Sequence, residues 1–237
     1  RTESFAGFAQ GSYELMQGTK LTLGARYTWE RRNFNASQIF QVGFGPAPTA
    51  PGGTVVASSQ SIDEPSFRVA LDHEFSPDVL GYVSFNTGFK SGGYNLIAPL
   101  SPAFLPEKVK AYEAGLKTTL AGGSVRFNIA AFYNDYTNIQ VSQVDPATGL
   151  SVVSNAAAAE TYGVEMDFQA ALTAELQIAG NASILSAKYA DYPNAQVATP
   201  TAAGGALLTS ANAAGKRLPA AQKFSANLAL DYDTALG

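Results

Sequence analysis

The chain has no cysteine, one histidine and one tryptophan among its 237 residues. Without cysteine there is no disulfide and no thiolate metal site. With one histidine, a transition-metal site would have to be built from carboxylates, a poor ligand set for such ions. Charge is scarce too: Asp, Glu, Lys and Arg make up 14% of the residues, against about 25% in ordinary soluble domains. A net charge of -4, with lysines and arginines scattered, excludes the basic stripe that nucleic acid requires. No apolar run reaches the length of about 18 residues that a membrane-crossing helix needs. The opening residues Arg1-Thr2-Glu3-Ser4 show no signal-peptide pattern.

What the chain does have is 22 Gly, 14 Phe and 11 Tyr, set in segments where apolar and polar residues alternate. Period two places successive side chains on opposite faces of a strand. In Ser124–Asn134, Val125, Phe127, Ile129, Ala131 and Tyr133 share one parity, against Arg126, Asn128 and Asn134. The same pattern is clear in Lys20–Arg32, Ser66–Phe75, Val79–Asn86, Tyr112–Lys117, Tyr162–Leu172, Leu176–Ile184 and Phe224–Tyr232, and weaker in Phe5–Leu15. Through the middle of these segments Asp, Glu, Lys and Arg keep to the polar parity, with Arg31 and Asp135 at strand ends. A charge at the bilayer midplane costs roughly 2–4 kcal/mol, which would enforce such segregation. The alternation predicts an all-β, antiparallel, up-and-down transmembrane β-barrel, here an incomplete one of about nine strands.

The connections support this. Short turns at Met16–Thr19, Ser76–Asp78, Ala121–Gly123 and Thr173–Ala174 alternate with long loops at Asn33–Pro65, Phe89–Val109, Thr137–Glu160 and Ala190–Gln222. Outer-membrane barrels have short periplasmic turns and longer outer loops. Ala156–Ala159 reads as part of a loop. Aromatics on the apolar parity gather near strand ends, as interfacial girdles do: Trp29, Phe89, Tyr112, Tyr133 and Tyr162 outside, Tyr13, Phe75 and Tyr232 inside. Because the pattern is already running at both ends of the chain, residues 1–237 are expected to be one part of a larger barrel, without its terminal strands.

The stretch Gly81-Tyr82-Val83-Ser84-Phe85-Asn86-Thr87-Gly88-Phe89-Lys90-Ser91-Gly92-Gly93-Tyr94-Asn95 closely resembles a motif of TonB-dependent receptors. Leu105–Lys117, Phe132–Val141, Thr161–Glu165 and Gly215–Pro219 resemble further motifs, in the family's order. The likeness is greatest to the siderophore-receptor-like branch. It implies a 22-stranded barrel around an N-terminal plug, neither plug nor TonB box being visible here. It also implies residence in the bacterial outer membrane, with the TonB–ExbB–ExbD complex pulling on the plug to admit a scarce solute such as a ferric siderophore. A passive porin-like channel is the alternative reading of the same alternation.

Candidate ligand contacts are Lys90, on the polar parity of Ser84 and Asn86, and Tyr94 in the following loop; Phe40, Phe44, Phe104, Tyr189 and Tyr192 could add aromatic contact. Phe89-Lys90-Ser91 lacks the first glycine of a phosphate loop and follows a strand. His73, between Asp72 and Glu74, has neighbours that point to the opposite face and so forms no triad. Polar-face charges such as Arg26, Glu30, Arg68, Asp72, Glu113, Lys117, Arg126, Glu165 and Asp167 read as cross-strand ion pairs and plug contacts. No catalytic residue, metal site or cofactor is read from the sequence.

Overall fold

The alternating segments pair into one sheet. The computed structural model describes residues 1–38, 54–145 and 149–233. The strands are β1 (Thr2–Met16), β2 (Thr19–Gln38), β3 (Thr54–Ser76), β4 (Val79–Lys90), β5 (Glu107–Leu120), β6 (Val125–Val144), β7 (Ser151–Ala171), β8 (Leu176–Asp191), β9 (Ala195–Pro200), β10 (Ala206–Ala211) and β11 (Phe224–Tyr232). Nine of them form a sheet in the order β1-β2-β3-β4-β5-β6-β7-β8-β11, while β9 and β10 pair as a separate hairpin. Every pairing is antiparallel. The sheet is therefore an up-and-down meander, unclosed, with β1 and β11 at its edges.

Register carries the parity across all nine strands. One row runs Tyr13, Leu21, Leu71, Val83, Ala114, Ala131, Val164, Ile184, Phe224 without a charge. The adjacent row on the other face runs Glu14, Lys20, Asp72, Tyr82, Gly115, Ala130, Glu165, Ser183, Ser225. No second layer covers the apolar face among the described residues: Phe67, Val83, Ile184 and Leu228 are 50–66% exposed. A continuous apolar surface of this extent has no stable place in water. Its outer limit is drawn by register as well. Phe85, Tyr112, Tyr133 and Tyr162 stand in one apolar-face row, and the next row outward is Thr87, Lys110, Asp135, Glu160 and Lys188. Aromatic rings give way to charges, as they do where hydrocarbon meets headgroups.

The short turns fall where turn chemistry places them. Gly18 takes φ +75° between β1 and β2, and Ala121, Gly122 and Gly123 all have positive φ in the single turn of 3-10 helix before β6. The long loops differ from expectation. β2 and β3 continue to Gln38 and from Thr54, and β6 and β7 to Val144 and from Ser151, so much of 33–65 and 137–160 is strand. Ala156–Ala159 lies inside β7, with Ala157 and Ala159 buried, rather than in a loop. The segment 190–222 holds the β9–β10 hairpin, so the described residues form eleven strands, nine of them in the main sheet. Beyond the hydrocarbon both faces of a strand meet water or other loops, so alternation ends while backbone pairing continues.

Four strand glycines are seats for aromatic rings. A Cβ on Gly81 would meet the Phe75 ring at 2.6 Å, and one on Gly180 would meet Phe168 at 2.7 Å. On the polar face, Gly115 lies under Tyr82 in the same way, while a Cβ on Gly163 would meet the Ile184 carbonyl oxygen first and the Phe132 ring at 3.0 Å. Glycine inside a strand commonly marks such a close approach.

Candidate functional site

The polar face is the concentrated chemistry of this fold. At its centre Tyr82 lies over Gly115 and donates its hydroxyl proton to Glu113 Oε1 at 2.6 Å, with Lys117 Nζ 5.5 Å from the Tyr82 ring centre. Register continues from Lys117 through Asn128, Asp167 and Asn181 to Asn227, and Asn128 Nδ2 donates to Asp167 Oδ1 at 2.9 Å. Tyr82, Glu113, Lys117, Glu165 and Asp167 line an open cavity of about 600 Å³. Further out, beside β8 where β11 no longer pairs with it, a second cavity of about 500 Å³ takes lining from both faces, Phe132 and Leu185 from the polar parity and Tyr162, Val164 and Ile184 from the apolar one, with Arg217 and Lys223 from the approach to β11. The inner cavity is rich in carboxylates.

Above these, the loop after β4 is tied down by amide side chains. Asn95 is 7% exposed; its Nδ2 donates to Val153 O at 3.0 Å, and Val153 N donates to its Oδ1 at 2.7 Å. Asn155 meets Leu105 in the same two-way manner, at 2.8 and 2.6 Å, and Gln196 meets Val144 at 2.7 and 2.9 Å. Each amide thus replaces one residue of a neighbouring strand. Gln140 Nε2 donates to Ser91 O and Leu105 O, and Gln140 N to Glu107 Oε2. On the other side, Ser91 Oγ donates to Glu30 Oε2 at 2.5 Å, which also holds Arg32 at 3.1 Å. The loop 91–106 is a strap between the β2–β3 and β6–β7 hairpins. Asn95→Leu keeps the volume but leaves the Val153 N–H and C=O unpaired, at about 1–3 kcal/mol. The expected result is faster proteolytic cleavage within 91–106 while the sheet stays folded.

The structure places Lys90 at the exposed end of β4, opposite Glu107 in register. Tyr94 lies in the strap, stacked on Phe34 at 4.8 Å and donating to Ser58 Oγ at 3.3 Å. The two are therefore not side by side on one strand. Phe104 packs against Gly93, whose N–H and C=O it bridges. Tyr189 and Tyr192 pack together at 5.0 Å, and Tyr192 joins Ala157 and Ala195 in a small core at the base of the β9–β10 hairpin. Burial pushes the Tyr192 phenol above its ordinary value, while Gln143, donating to its oxygen at 2.7 Å, pulls the other way. Phe40 and Phe44 lie outside the described residues. His73 sits on the apolar face with Thr19 Oγ1 2.7 Å from its Nδ1 and the Phe75 ring edge-on. Sequence reasoning did not single out Asn95, Gln140, Asn155 or Gln196. Amides in apparently irregular segments carry no periodic signal.

The family description "TonB dependent receptor-like, beta-barrel" matches residues 1–237. The chain belongs to the TonB-dependent receptors. Those receptors sit in the bacterial outer membrane and transport rather than catalyse, so the receptor's apolar face meets lipid and its polar face lines the lumen. Over 179 residues it is 25% identical to the metal-pseudopaline receptor CntO of Pseudomonas aeruginosa, covering 76% of this chain and 23% of CntO. Among solved structures it is similar to the ferric yersiniabactin uptake receptor FyuA from Yersinia pestis, with TM-score 0.73 and 17% identity over 100% of this chain and 32% of FyuA. It is also similar to the ferric-catecholate import receptor Fiu from E. coli K12, with TM-score 0.68 and 16% identity over 99% and 32%. The chain thus spans less than a third of the length of these relatives.

Proposed function

We propose that this receptor segment helps to hold a metal chelate, most simply a ferric siderophore, for energised uptake across the outer membrane. The observation that carries the reading is the family match over the whole chain, joined to relatives whose names specify metal-pseudopaline, ferric yersiniabactin and ferric catecholates. In this reading residues 1–237 are part of the barrel wall. A plug within the lumen and the TonB–ExbB–ExbD complex acting on that plug would be supplied by the rest of the system. The lumen face, with its amides, hydroxyls and charges, is suited to hydrogen-bonding a folded plug.

Lys90 and Tyr94 are proposed ligand contacts at the mouth. Lys90 is exposed and has no ion-pair partner among the described residues, and Tyr94 offers a ring held rigidly by Phe34. Radiolabelled iron presented as ferric chelates to cells lacking and then regaining the intact receptor tests the proposal. Uptake should depend on the receptor and stop when the proton gradient is collapsed. Lys90→Gln should weaken uptake affinity by about 1 kcal/mol, roughly five-fold. Receptor-dependent entry that persists after energy collapse would instead indicate a passive channel.

A further inference from the structure

Two strands of the wall separate near the mouth. β2 and β3 stay paired as far as Gln38 and Thr54, and β4 stays paired with β5 as far as Lys90 and Glu107. Backbone pairing of β3 with β4 stops at Arg68 and Asn86. The sequence supplies the reason. Phe67 N faces β4, and so does the nitrogen of Pro65, because alternate residues of a strand address the same neighbour. Pro65 has no N–H to give. Phe67 makes the last bond, and it goes to the Thr87 hydroxyl at 2.9 Å in place of a main-chain carbonyl. Below this fork Arg68 Nη1 still donates to Asn86 Oδ1 at 3.1 Å on the lumen face. Above it, no backbone pair among the described residues joins β3 to β4.

Side chains span the gap instead. Lys108 Nζ of β5 lies 2.8 Å from Glu64 Oε2 of β3. Lys108 has the apolar parity of Tyr112 and Glu64 the polar parity of Arg68, so this pair joins two faces that an unbroken wall keeps apart. The strap crosses the same gap through Ser91 to Glu30, Tyr94 to Ser58, and Gln60 Nε2 to Phe104 O at 3.1 Å. Only the last of these involves main chain. Towards β6 and β7, by contrast, Asn95 and Asn155 each make two bonds to main chain, and Gln140 holds the Ser91 and Leu105 carbonyls. The strap is therefore fixed to β6–β7 and only leans on β2–β3. On that arm the lumen-face residues Thr28, Ile62 and Glu64 are buried.

We infer that the mouth opens along this seam: the outer β2–β3 arm swings away from β4 about the fork at Pro65 and Thr87, while the strap stays with β6–β7. The Lys108–Glu64 pair is the latch. No ladder has to break, since none is formed there, and the motion uncovers Thr28, Ile62 and Glu64.

The test reads distances between paired nitroxides in the intact receptor, on a cysteine-free background in lipid vesicles, with no chelate added. Ser61 on the arm, Leu100 on the strap and Ser142 on β6 are exposed label sites. Pulsed dipolar spectroscopy should give Ser61–Leu100 a second population, longer by about one strand spacing of 5 Å or more. Leu100–Ser142 should give a single narrow distance. Lys108→Gln should raise the longer population roughly three-fold, as fits loss of a half-exposed ion pair, and Lys108→Arg should keep the parent distribution. Pro65→Ala returns an N–H facing β4 and should shrink the longer population. Heat-modifiable migration on gels must be unchanged, so that folding defects are recognised. A single narrow Ser61–Leu100 distance in both the parent and Lys108→Gln overturns the seam, as does a spread that Pro65→Ala leaves unchanged. If Leu100–Ser142 spreads instead, the strap travels with the arm and the inference is wrong. Because no chelate takes part, failure here leaves the transport reading where it stands.

Discussion

Ile129→Arg is expected to destabilise the membrane-inserted receptor by roughly 2–4 kcal/mol, the cost of a guanidinium facing hydrocarbon near the midplane. Ile129 stands midway between Val125 at the start of β6 and the Tyr133 girdle, with Leu116 and Met166 as its register partners. None of these can neutralise a charge. Asn128→Arg, one residue away on the lumen face, meets Lys117 on one side and Asp167 on the other. It is expected to stay within about 0.5 kcal/mol of the parent, as substitutions on solvated surface do. Urea titration of the intact receptor folded into lipid vesicles gives both values. The contrast between neighbours matters more than either number, because it isolates the face from the strand.

The second large effect lies at Gly163. A Cβ there would press into the Ile184 carbonyl oxygen, a backbone atom of β8, and come within 3.0 Å of the Phe132 ring. Neither can yield without moving a strand or emptying the ring's seat. Gly163→Ala should therefore cost about 1–3 kcal/mol, as overpacking does elsewhere, and should loosen the β7–β8 pairing in hydrogen exchange. Gly11→Ala is the matched control: nothing lies within 4 Å of its added Cβ. There the substitution is expected to be neutral or to stabilise by about 0.4–1 kcal/mol by restricting the unfolded chain. Equal losses at both positions would mean that glycine serves the strands generally and not the ring seats.

The motif Thr161-Tyr162-Gly163-Val164-Glu165 was legible as a family signature, but the reason for its glycine was not. Only register shows that Phe132 of β6 needs the space above Gly163. Within the hydrocarbon, sequence was a good guide because one face is immersed in lipid: the parity of Val125–Tyr133 or Tyr162–Phe168 follows from that asymmetry alone. Outside it, Ser151–Glu160 meets protein or water on both sides and reads as irregular, although it is paired strand. The β9–β10 hairpin was lost for the same reason, both strands being largely exposed. Phe132 and Leu185 are the instructive misses. As apolar residues on the polar parity they break the alternation, and register shows why: both lie beside Gly163, which gives the Phe132 ring its space. Lys90 and Tyr94 were found at the rim by motif, but the strap holding Tyr94 depends on Asn95, Gln140 and Asn155 from distant segments, which no local pattern connects.

The most direct test of the account is a nitroxide scan of β6 in the intact receptor, on a cysteine-free background in lipid vesicles. Single labels from Arg126 to Phe132 are relaxed by oxygen, which dissolves in lipid, or by a water-soluble nickel chelate. Labels at 127, 129 and 131 should respond to oxygen, and those at 126, 128 and 130 should respond less to oxygen and more to nickel. If the odd positions instead answer to nickel and the even ones to oxygen, the faces have been assigned the wrong way round, and the membrane reading of the sheet falls with them.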